Sequence, residues 1–281
     1  MTLPSLSATT IFSLAAVFSW GISDFAGGYG ARRANAFLLT AIAHLSGLLL
    51  MAEVALANGS PFPSRTAVAW ALLAGLSGGG ALAIFYRALA TGRMGLTAPV
   101  AAVLGAAIPT VFGIFREGLP QAVQFIGFIL AAAGIWLISR TEDGSPPEGI
   151  GMAAIAGVGF AGFYLCIKQA GDGSAYWLAA TSKVSSFALT ALIVLVGRGA
   201  REIDLRRIAI GVLAGCLDII GSVLFIRASQ TGRLDAAVVL SSLYPAVTVL
   251  LARLILNEHF TRWKALGMLA ALLAVPMIAW R

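Results

Sequence analysis

Arg87-Ala88-Leu89-Ala90-Thr91-Gly92-Arg93 returns 140 residues later as Arg227-Ala228-Ser229-Gln230-Thr231-Gly232-Arg233. The same offset sets Leu73-Ala74-Gly75 against Leu213-Ala214-Gly215, Phe37-Leu38 against Trp177-Leu178, Trp20-Gly21 against Phe160-Ala161, and Gly127 against Gly267. The abundance of Gly, Ala and Leu explains single coincidences of this kind. It does not explain R-A-x-x-T-G-R recurring at a spacing that holds, without net insertion, over most of the chain. The chain reads as a tandem duplication.

Of the 281 residues, 59% are hydrophobic and 11% charged, which is the composition of a polytopic membrane protein. The formal charge of +7 comes from basic residues standing singly between apolar runs. That pattern excludes a nucleic-acid patch and suits anchors at the membrane edge. Cys166 and Cys216 fall inside apolar runs, so neither a disulfide nor a metal site is expected. The 2 histidines occur outside any H-E-x-x-H context, so no catalytic constellation and no cofactor is expected either. No Lys or Arg precedes Arg32. The first apolar run therefore lacks the basic region of a cleaved signal peptide and is expected to stay in place.

A helix crosses the hydrocarbon core with about 20 apolar residues. Ten runs meet that length, over 9–29, 35–57, 67–90, 94–115, 121–139, 150–170, 175–196, 207–229, 234–255 and 263–280. They divide into two units of five, 8–140 and 150–281, joined by the polar linker 141–149. Because five is odd, the second unit starts from the opposite face of the membrane. The expected fold is all-α, with ten transmembrane helices in two inverted repeats, the arrangement of many secondary transporters. Ten spans return both termini to one side. The connections after odd-numbered helices carry twelve Lys and Arg and the opposite side six. Positive-inside counting alone thus points to termini outside.

Charges within spans are the rarest residues and the most informative. Asp24 follows Trp20 and Gly21 at helical spacing, and Asp218 lies among Ala214, Gly215, Gly221 and Ser222. Both carboxylates therefore occupy small-residue faces that turn toward other helices. His44 in the second run and Lys183 in the seventh come within one position of each other under the repeat. These four form a candidate polar site, in which a carboxylate holds an amine or a proton and Lys183 or His44 faces a substrate carboxylate. Lys183 pairing with one Asp as structural glue is the alternative. Trp20, Tyr86, Phe160, Tyr164 and Tyr244 offer stacking surface, and Tyr164 is the repeat partner of Asp24. Gly78, Gly79 and Gly80 are candidate hinges, as are Pro99, Pro109 and Pro245, which remove backbone hydrogen bonds inside spans.

Trp20-Gly21, Phe85-Tyr86-Arg87-Ala88-Leu89, and Ser242-Leu243-Tyr244-Pro245 leading to Asn257-Glu258 and Gly267, echoed by Glu117 and Gly127, together resemble the EamA-type transporters of the drug/metabolite transporter superfamily. The resemblance implies an inner-membrane protein with cytoplasmic termini and a cavity lined mainly by helices 1, 3, 4, 6, 8 and 9. It also implies export or exchange of small metabolites such as amino acids, or of drugs. Gly105 stands where the second half has Pro245, so the halves are not expected to bend alike. The expected partners are a small-molecule substrate, the lipid bilayer and protons as coupling ion, on a monomer or homodimer without nucleic acid. A receptor or assembly subunit that does not transport, or a membrane-embedded enzyme, are the rival readings.

Overall fold

The computed structural model describes residues 7–139, 148–197, 203–258 and 261–278. Most of the expected linker, residues 141–147, lies outside them, as do the last three residues of the chain. The described residues form helices and short turns, with no strand among them. In order these are α1 (Ala8–Ala31), α2 (Ala36–Ala57), α3 (Arg65–Thr91), α4 (Met94–Glu117), α5 (Ala122–Ser139) and α6 (Ile150–Ala170). They continue with α7 (Ala175–Val196), α8 (Leu205–Thr231), α9 (Leu234–Ser241), α10 (Tyr244–Leu256) and α11 (Arg262–Ile278).

Polar caps set several starts, each satisfying backbone N–H groups that the first turn leaves without a partner. Ser7 Oγ accepts from the Thr10 N–H, Asn35 Oδ1 from Phe37 and Leu38, Ser64 Oγ from Ala67, and Asp204 Oδ1 from Arg207. The repeated R-A-x-x-T-G-R stretch makes the same local structure twice. Thr91 Oγ1 donates to the Arg87 carbonyl at 3.0 Å and Thr231 Oγ1 to that of Arg227 at 2.9 Å. Gly92 and Gly232 then end α3 and α8. A Cβ on Gly92 would meet the Glu148 carbonyl, just before α6, and one on Gly232 would meet Thr9 in α1. In each copy the motif glycine is crossed by the chain entering the other half.

Among the described residues, eight helical stretches are long and apolar enough to cross a membrane, with α9 and α10 counting together as the 23 residues Leu234–Leu256. The hydropathy reading expects ten. The difference lies in α5, whose apolar stretch is Ala122–Gly134, and in α11, which has 17 residues. The ninth expected span also differs, because it breaks at Ser242 and Leu243. Pro245 opens α10 without an N–H to donate to the turn before it. α4 carries Pro99 and Pro109 yet runs unbroken.

Packing follows the logic of a protein dissolved in lipid, with small residues between helices and large apolar ones outside. Ala71, Ala74, Ala153, Ala156, Ala179 and Ala214 are fully buried, while Leu49, Leu56, Phe18, Trp136, Ile155 and Leu195 are exposed. Extensive contacts pair α5 with α11 and α2 with α7, and others pair α1 with α8, α3 with α6, α2 with α8 and α3 with α7; hydroxyls join the last four. Hydroxyl-to-carbonyl bonds lock these pairs: Ser19 donates to Leu217 O at 2.7 Å, and Ser77 to Gly159 O at 2.8 Å. Ser46 donates to Val212 O at 3.4 Å and Ser185 to Leu72 O at 2.7 Å. The acceptors Leu72 and Val212 are 140 residues apart, but the donors Ser46 and Ser185 are 139 apart. The slip enters before α7, because α6 ends on the left-handed Gly171 (φ 77°), whereas α1 ends on Arg32 in ordinary helical geometry. It brings His44 and Lys183 into full correspondence.

Gly75 illustrates how tight this packing is. A Cβ there would be driven into the Ser182 carbonyl, which is backbone and cannot swing aside. Gly75→Ala is therefore expected to lose stability by ~1–3 kcal/mol despite the better helix propensity of alanine. Gly151, also helical, has nothing within 4 Å of its would-be Cβ, so Gly151→Ala is expected to gain up to ~1 kcal/mol. Thermal unfolding of the two variants in one detergent checks the opposite signs.

The ends of α4 are tied to different partners. At its start the Glu258 carboxylate accepts from the Met94 and Gly95 N–H groups at 3.3 and 3.2 Å. Glu258 also pairs with Arg32 at 3.4 Å. A carboxylate at a helix N-terminus is favoured by the helix dipole. At its far end Arg233, which precedes α9, donates to the Gly118 carbonyl at 3.0 Å and holds Asp235 at 2.7 Å. Arg93, the N-cap of α4, and Arg233 thus stand at opposite ends of one 24-residue helix.

Candidate functional site

A cavity of about 50 Å³ opens where α1, α3, α6, α7, α8 and α10 converge. At roughly 10–15 Å³ per water it has room for about three to five water molecules. α1 supplies Trp20 and Asp24, four residues apart and so on one helix face. α6 supplies Phe160, Phe163 and Tyr164, and α10 supplies Tyr244 just after the break. Gly78, Gly79 and Leu82 form the α3 wall, where the absence of side chains on the glycines leaves the space open. α7 and α8 bring Ser182, Lys183, Ser186, Asp218 and Ser222.

The charges are arranged unequally. Lys183 Nζ donates to Asp218 Oδ2 in a close ion pair, with both residues more than nine-tenths buried. The Asp218 backbone carbonyl also accepts from Trp20 Nε1 at 3.1 Å and from Ser222 Oγ at 2.9 Å. This side of the cavity is a closed network. Asp24 is equally buried, at 5% exposure, and within electrostatic reach of Asp218. Among the described residues its carboxylate has no hydrogen-bond or ion-pair partner. The Tyr244 hydroxyl is likewise buried and unpartnered.

Rings surround the acidic side. Trp20 lies 6.1 Å from Tyr164, 5.7 Å from Phe225 and 6.4 Å from Tyr244, centroid to centroid. Phe85 packs edge-on to Phe160 at 5.4 Å, which repeats the Trp20–Phe225 contact in the other half. These pairs lie in the range of favourable aromatic contact.

Of the residues expected from sequence to form a polar site, Trp20, Asp24, Phe160, Tyr164, Lys183, Asp218 and Tyr244 line one cavity. Two lie elsewhere. Tyr86 is fully buried, with its ring over Gly27 and its hydroxyl 3.2 Å from Ser23 Oγ, and it does not reach the cavity. His44 stands behind the α3 wall, with Nε2 3.4 Å from the Gly79 carbonyl and Nδ1 without a partner. Gly78 and Gly79 line the cavity. Gly80 faces Leu189, and Pro99, Pro109 and Pro245 contribute no lining.

The implied set of lining helices also changes. α4 is set back behind α6, with Gly105 against Gly157, Phe160 and Tyr164, and the α7 serines take its place. Ser182, Ser186 and Ser222 are the polar lining residues that sequence reasoning did not single out as site residues. Their signal was spacing: Ser186 falls one turn after Ser182, which flanks Lys183, and Ser222 one turn after Asp218.

Residues 147–280 match the model of the EamA-like transporter family. That half is an EamA-like unit of the drug/metabolite transporter superfamily. The EamA unit provides Phe160, Tyr164, Lys183, Asp218 and Tyr244, while Trp20, Asp24 and the α3 wall come from the half before it. A solved crystal structure shares the fold over 97% of this chain and 96% of its own, with a TM-score of 0.76 and 19% identity. No curated protein matches the chain. The EamA family and the eight apolar helices together make this a multi-pass membrane protein of transporter type.

Proposed function

We propose that the protein is a secondary transporter that carries small metabolites across the inner membrane by alternating access. In this reading α5 and α11 complete ten spans, and units 8–140 and 150–281 are inverted repeats that rock about the shared cavity. The observation that carries it is a buried, unpartnered carboxylate, Asp24, in a cavity to which both halves contribute. Ionisable groups inside a membrane are retained where they serve a pathway or a substrate.

Three features support the symmetry. The α1/α8 and α3/α6 contacts exchange under the repeat, as do the Ser19 and Ser77 bonds. Arg93 and Arg233, equivalent residues of the repeated motif, stand at opposite ends of α4. The ties at both ends of α4, together with a cavity that has room for only a few waters, suit a closed intermediate. A substrate larger than a few atoms would enter after one tie parts.

Two experiments test this. In a background with Cys166 and Cys216 replaced by serine, single cysteines at 93 and 233 should react with an impermeant thiol reagent from opposite faces. Labelling from the same face would remove the inversion. Purified protein in liposomes should then show saturable flux of some solute in a panel of amino acids, amines, sugars and nucleobases. Folded protein with no flux across that panel would count against transport.

A further inference from the structure

We propose that the cavity selects solutes bearing a single positive charge, amines in particular, over zwitterions and anions, with Asp24 as the group that receives the charge. This rests on the transporter reading and narrows its substrate class.

The first argument is charge. The cavity holds two carboxylates and one ammonium, and the ammonium of Lys183 is already bound to Asp218. Asp24 is left as the acceptor without a partner, 5% exposed in a low-dielectric surrounding. A buried charge in that condition is costly, and a cation of one unit relieves it.

The second argument is the supply of donors. A substrate carboxylate would need them, and the serine and indole donors of the lining are engaged with backbone carbonyls. Ser182 Oγ donates to Ala179 O at 2.8 Å, Ser186 Oγ to Gly75 O at 2.9 Å, and Ser222 Oγ and Trp20 Nε1 to Asp218 O. The Tyr244 hydroxyl is unpartnered, but it is neutral and does not balance an anion.

The third argument is the wall. Trp20, Phe160, Tyr164 and Tyr244 line the cavity together with Asp24, and aromatic faces attract cations and repel anions. Free carboxylate, engaged donors and aromatic wall all favour the same sign of charge. At about 50 Å³ the cavity accepts a group of ammonium size as it stands, and an attached body requires it to widen.

Phenethylamine, phenylalanine and 3-phenylpropionate keep one ring and one chain length while changing the charge from cation to zwitterion to anion. Titration calorimetry of the full chain in detergent, with the protein-free micelle titration subtracted, should give saturable binding of phenethylamine. Its affinity should exceed that of phenylalanine by about tenfold or more, with 3-phenylpropionate weakest. Asp24→Asn should weaken phenethylamine by about tenfold or more, since it removes the charge and keeps the shape. Trp20→Phe should weaken it by a smaller factor, because phenylalanine presents a weaker π face.

The proposal is overturned if phenylalanine or 3-phenylpropionate binds as tightly as phenethylamine, if the Asp24→Asn protein binds phenethylamine as the parent does, or if folded protein binds none of the three. The comparison of probes on the unmodified chain stands even if a variant fails to fold. A preference for the zwitterion would end this selectivity while leaving transport intact, whereas the liposome panel judges transport independently.

Discussion

Lys183→Met is expected to lower stability by ~3–5 kcal/mol, because it strips the partner from Asp218 and leaves a second uncompensated carboxylate in the bundle. Asp218 sits more than nine-tenths buried, so water cannot take over the role of the ammonium. Its side-chain position is also fixed from behind, since the same residue's carbonyl is held by Trp20 and Ser222. The double variant Lys183→Met/Asp218→Leu removes both charges and is expected to recover most of the loss, as apolar replacement of buried pairs does elsewhere. Thermal unfolding in detergent reads the series. If the double variant is as unstable as the single one, the ion pair is not what stabilises this side of the cavity, and packing around Lys183 is.

Asp24→Asn should behave in the opposite way on stability and have the larger effect on activity. With no partner among the described residues, the carboxylate contributes nothing to hold α1 in place. Its neutral isostere is therefore expected to unfold at the same temperature or higher. Flux of a transported solute should fall by about thirtyfold or more, since losing one side of a buried charge contact costs ~2–5 kcal/mol. Stability kept and flux lost is the signature of a binding group. Stability lost together with flux would make Asp24 a structural residue and would remove the observation on which the functional reading rests.

Membrane character and all-helical class could be read from hydrophobicity alone, since apolar runs of span length leave few alternatives. Asp24, Asp218 and Lys183 were visible for a related reason, because a charge inside such a run stands out. Which aspartate Lys183 chooses was not visible, as both lie on small-residue faces and the choice depends on how α7 leans on α8. Tyr86 resembled a lining residue by position, but the absence of a side chain at Gly27 lets its ring sink into the α1 contact instead. The one-residue slip between α2 and α7 could not be found by comparing residues, because the pairing of Phe37-Leu38 with Trp177-Leu178 at the common offset of 140 pointed away from it. Only the serine bonds to Leu72 and Val212 reveal it. The break at Ser242 was half legible: Pro245 announces a disturbed turn, but Pro99 and Pro109 announce the same in α4, which stays continuous. A proline's effect depends on what its neighbours offer the freed carbonyls, and that is a property of the packing.

A 24-residue helix behaves as a stiff beam of about 36 Å. Seesaw motion about the middle of α4 by about 5° would displace each end by about 1.5 Å in opposite directions. That distance is enough to break the Glu258 contacts with Met94 and Gly95 at one end or the Arg233 contact with Gly118 at the other. In the proposed alternating access, each end of α4 would be released by parting its own tie, Glu258 at one end and Arg233 at the other.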